Sequence, residues 1–64
     1  MYKIYVIDFF PNSREDNQIT SSRFRLLTEC EGEGAAFAIA KSEFVIRKNK
    51  TVIIDPNGVP IGGY

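Results

Sequence analysis

The side chains that could do chemistry are few, and none stands beside a helper. The sequence holds one cysteine, Cys30, and no histidine. Imidazole is the most frequent general acid or base, and a nucleophile needs a base within reach. Cys30 has Glu29 and Glu31 as its neighbours, whereas a reactive thiolate sits near cations. A closed zinc site would have to draw on carboxylates or on other chains. Asp8, Glu43 and Asp55 could meet in space, but Asp55 precedes Pro56-Asn57-Gly58 and reads as the start of a turn. Asp8 interrupts an apolar strand face, and a bend before Pro11 would lift it to solvent. Gly32-Glu33-Gly34 lacks the spacing and the Lys-Ser/Thr of a phosphate loop, and Glu31 and Glu33 would repel a phosphate. These patterns point away from an enzyme. They give no catalytic residue, no metal ligand and no cofactor.

Binding is the class of function that is left. Tyr2, Tyr5, Phe9 and Phe10 lie close together in one strand, and Tyr and Phe are enriched at the centres of interfaces. The leading expectation is a small protein-interaction module, an inhibitor, regulator or assembly accessory, that binds a protein or itself as a homo-oligomer. Tyr5 and Phe9 are the expected contacts. Arg14 and Glu15, in the polar stretch Pro11–Ser22, would add charged ones, since long loops often carry function. The alternative is a nucleic-acid-binding module. Lys plus Arg number 8 and Asp plus Glu number 8, a net charge of zero, which disfavours a dedicated nucleic-acid binder. A local basic patch could still form from Arg47, Lys48 and Lys50 at a hairpin tip and Arg23 and Arg25 on an outward strand face.

The elements that must position these groups follow from periodicity. Seven of the nine residues from Tyr2 to Phe10 are aromatic or β-branched, so they form a strand, apolar on both faces. Arg23–Glu31 alternates and reads as a second strand, antiparallel to the first. Phe24, Leu26, Thr28 and Cys30 point inward, and Arg23, Arg25, Leu27, Glu29 and Glu31 point outward. Residues 35–43 hold four alanines and read as a helix, with a strand as the competing assignment. Phe44–Asp55 carries two β-branched runs around Lys48-Asn49-Lys50, a hairpin pattern. A three-residue tip puts Phe44, Ile46, Val52 and Ile54 in the core and Arg47 outside; a two-residue tip re-sorts one strand. Pro60 limits Val59–Ile61 to an edge at best.

The expected fold is α+β: a small antiparallel sheet, β-β-α-β-β in chain order, with one short helix. The alternative is an all-β five-stranded small barrel. Sixty-four residues suffice for a single small domain spanning 1–64. A chain this short buries only about 60% of the surface it exposes when unfolded, and one cysteine cannot form an internal disulfide. Small size without a staple favours association. No apolar run approaches the roughly 20 residues of a membrane span. Asp8 cuts short the N-terminal apolar stretch, so no signal peptide and no membrane are expected, and a lone cysteine fits the cytoplasm.

Overall fold

A computed structural model describes residues 1–11 and 20–64, without the side chains of residues 10, 11, 20 and 21. Four strands and one helix follow in the order β1 (Tyr2–Pro11), β2 (Thr20–Cys30), α1 (Glu33–Arg47), β3 (Lys50–Ile54) and β4 (Pro60–Gly62). The sheet order is β2-β1-β3-β4, and every neighbouring pair is antiparallel. This is the α+β arrangement expected, β-β-α-β-β, and the sheet does not close into a barrel.

The topology explains which face α1 covers. β2 and β3 both run antiparallel to β1, so they are parallel to each other with β1 between them. Joining two such strands requires a crossover, and α1 is that crossover. It packs on β3, β1 and β2. One helix covers one face of a sheet.

α1 is built to lie close. Its inward stripe is Ala36, Ala40 and Glu43, all buried, and alanine lets the helix axis approach the strands. Ile4 and Ile53, each fully buried, form the core cluster with Ala36 and Ala40. They face each other across the β1–β3 ladder, where Ile4 pairs with Ile53. Val6 is also fully buried and pairs with Thr51 and Arg25. Burying an aliphatic side chain of this size contributes about 1.5–3 kcal/mol.

The Phe44–Asp55 hairpin does not form. Residues 44–47 are the last turn of α1, and only 50–54 are a strand. The helix extends past the expected 35–43 to Arg47; in this last turn Phe44 packs against Tyr64, and Glu43 and Arg47, four residues apart, lie 4.0 Å from each other. Lys48 ends it in the left-handed region, with φ 62, and its N–H donates to the Phe44 carbonyl at 3.0 Å. Asn49 is the residue better suited to that conformation, but its Nδ2 donates to Glu43 Oε2 at 2.7 Å instead. With no hairpin, β1 sets which way β3 faces. Thr51 and Ile53 are buried beneath α1, and Val52 and Ile54 face away. Ile46, expected in the core, is 72% exposed.

Asp55 does begin a turn. Its Oδ1 accepts from the N–H of Asn57 at 2.9 Å and of Val59 at 2.8 Å. Gly58, with φ 85, donates its N–H to the Asp55 carbonyl, a role suited to glycine at positive φ. The chain then returns as β4. Tyr64 folds back onto α1, edge-on to Phe37 at 6.4 Å and tilted against Phe44 at 6.5 Å. Its N–H donates to Thr51 Oγ1 at 2.9 Å.

Candidate functional site

The face of the sheet away from α1 is apolar and uncovered by any element among the described residues. Paired residues share a face, so the ladder registers assign its members. β1 contributes Tyr5, Ile7 and Phe9; β3 contributes Val52 and Ile54, and β4 contributes Pro60 opposite Ile54. β2 contributes Leu26 opposite Tyr5 and Phe24 opposite Ile7.

The presence of Phe24 and Leu26 here corrects the expected inward set. Thr28 and Cys30 do pair with Ile4 and Tyr2 on the helix side. Between Thr28 and Leu26 the ladder slips by one residue, at Ile4/Tyr5. The extra residue is Leu27, which packs against the core although alternation places it outside. A bulge of this kind reverses the alternation beyond it and re-aims side chains. Phe24 and Leu26 therefore turn to the open face, 63% and 45% exposed. Arg23 and Arg25 turn to the side of Asp8, Val6 and the helix.

Phe9 is 51% exposed and Tyr5 is half-buried, so both expected contact residues lie on this face. A shallow depression beside them is lined by Tyr5, Phe24, Val52, Ile54 and Pro60. Charged groups stand at the margins of the face: Lys3 opposite Glu29 at one end, and Lys50 opposite Ile7 at the side, where β4 no longer pairs with β3. Arg14 and Glu15 lie outside the described residues.

The basic residues gather at one end of the molecule, but not on a hairpin. Arg47 and Lys48 finish α1 and Lys50 begins β3, while Arg23 and Arg25 pair with Asp8 and Val6 of β1. Acids are interleaved among them. Arg25 Nε donates to Asp8 Oδ2 at 3.1 Å, and this bond, with the Asp8 charge, raises the arginine pKa. Arg47 lies against Glu43, and Arg23 is engaged as well.

Cys30 is half-buried against the core, and its thiol donates to the Gly32 carbonyl at 3.4 Å. Among the described residues no three metal-ligating side chains cluster, and no helix is long and apolar enough to cross a membrane. Comparison with protein-family models, curated proteins and solved structures finds no match.

Proposed function

We propose that this protein is a small, non-enzymatic interaction module that docks a protein surface onto the open face of its sheet. The observation that carries the reading is the bulge at Leu27. Regular alternation would have put Phe24 and Leu26 on the face that α1 covers. The bulge gives up local ladder pairing and adds two large apolar side chains to a face that no described element covers. A fully open large aromatic presents roughly 150–250 Å². Phe9, Phe24 and Leu26 at their exposures thus offer about 300 Å², before the half-buried Tyr5, Ile7, Val52 and Ile54 are added. The largest apolar patch on a typical monomer is of this order and is often a functional surface.

The test compares what immobilised protein retains from a cell extract, before and after nuclease. The variants are Phe24→Ser with Leu26→Ser, and Ile46→Ser as a control on the outer side of α1. Retained partners should be lost from the face variant and kept by the control. Identical profiles for all three, together with a single-chain mass in solution at every concentration, would refute the reading. Loss on nuclease treatment, with affinity falling steeply with salt, would favour the nucleic-acid alternative through Arg23, Arg25, Arg47, Lys48 and Lys50. The interleaving of those residues with Asp8 and Glu43 weighs against it.

A further inference from the structure

We infer that the occupant of the open face is a second copy of this chain, packed sheet against sheet about a two-fold axis. The inference rests on the docking reading above and names the partner.

The first argument is the shortage of core. The fully buried apolar residues described are Ile4, Val6, Ala36, Ala40 and Ile53, so only three are larger than alanine. No disulfide or metal cluster braces the described residues. Chains of this size usually need such a staple or an oligomer.

The second argument is charge. An isologous interface sets one patch against itself, so a patch of one sign repels its copy. Here the middle of the face carries no charge. Lys3 and Glu29 oppose each other at one end, and Lys50, opposite Ile7, stands at the side margin of the sheet, where β4 no longer pairs with β3 and its ammonium can reach solvent.

The third is shape. The depression lies toward the Tyr5–Ile54 end of the face. Phe9, 51% exposed, projects four residues further along β1, about 13 Å away at the rise of a strand. A two-fold axis across the strands, passing near Ile7, exchanges these ends. Phe9 of each copy then meets the depression of the other. The result is a two-sheet sandwich with a helix on each outside.

The fourth is area. β3 is five residues long and β4 three, so with about seven residues each from β1 and β2 the footprint is roughly 350 Å² before side-chain relief is counted. That places the pair toward the small, weak end of the interface range rather than at the about 800 Å² per partner of a standard one, in keeping with a dimer that forms only at high concentration.

Light scattering on the intact chain, from micromolar to hundred-micromolar concentration, tests the proposal together with hydroxyl-radical footprinting at both extremes. The expected result is twice the mass of one chain at high concentration, with Tyr5, Phe9 and Phe24 protected there and oxidised on dilution. Phe9→Ser and Phe24→Ser should each weaken the dimer roughly tenfold or more, with circular dichroism showing a folded chain, and Ile46→Ser should leave it intact. A single-chain mass throughout would overturn the second copy; the docking reading then survives if extract partners still depend on Phe24 and Leu26, and falls if they do not. A dimer whose open face stays oxidisable would place the contact elsewhere and overturn the proposal without any variant.

Discussion

The two faces of the sheet are written in nearly the same residues and end in different environments. On one, Ile4, Val6, Thr51 and Ile53 are buried under α1. On the other, Tyr5, Ile7, Val52 and Ile54 are only half-buried, beside the exposed Phe9, Phe24 and Leu26. β-branched and aromatic composition makes both faces good strand surface. Which face becomes core is decided by the side over which the β2-to-β3 crossover passes. Apolarity alone therefore says that a strand face wants cover, not what supplies it.

The contrast is sharpest at two adjacent residues. Ile53→Ala should cost about 2–5 kcal/mol, because the cavity opens between β3 and the alanine stripe of α1. Ile54→Ala, one residue on and facing away, should cost the isolated chain about 1 kcal/mol. Denaturant titration of dilute protein checks both. Equal losses would mean that the open face is packed within one chain.

Gly63→Ala comes next. A Cβ there would overlap the Thr51 carbonyl oxygen, a backbone atom that cannot swing aside. The chain must lift away, loosening the bond from Tyr64 N–H to Thr51 Oγ1 and the contacts of Tyr64 with Phe37 and Phe44. The expected loss is about 1–3 kcal/mol, with faster amide exchange in β4. Unchanged exchange would show that the C-terminal clasp does not hold α1 to the sheet.

Lys48→Gly should act in the opposite direction. Lys48 sits at φ 62, where a side chain is strained and glycine is not. Thermal unfolding should show stabilisation of about 1 kcal/mol. A loss would mean that Lys48 contributes something beyond ending the helix. The smallest effect belongs to Ile46→Ala, within about 0.5 kcal/mol for a side chain this exposed. A large loss would restore Ile46 to a core.

Much of the architecture was legible in the sequence, and the failures have particular causes. The density of aromatic and β-branched residues in β1 identified it, the alternation of β2 showed a strand, and Asp55-Pro56-Asn57-Gly58 showed a turn. Phe44-Val45-Ile46 misled because strand propensity is weaker than a helix that already has a sheet to lie on. The last two strands are consequently 50–54 and 60–62 rather than the two arms of a hairpin. The bulge left no mark in the pattern: Phe24, Leu26, Thr28 and Cys30 alternate without interruption. Its position depends on pairing with β1, where Tyr5 takes Leu26 and Ile4 takes Thr28. The shared face of Tyr5 and Phe9 follows from alternation alone, while alternation puts Phe24 and Leu26 on the wrong face.

On the reading proposed above, α1 makes one face of the sheet core and association covers the other. The unfolding free energies of Phe24→Ser and Ile53→Ala, each measured against the parent at low and high protein concentration, test it directly. A partner that binds only the folded chain stabilises it by mass action. Ile53→Ala should cost a similar, large amount at both concentrations. Phe24→Ser should cost almost nothing when dilute and increasingly more as concentration rises. A Phe24→Ser cost that is large and independent of concentration would contradict it, placing Phe24 in the core of a single chain.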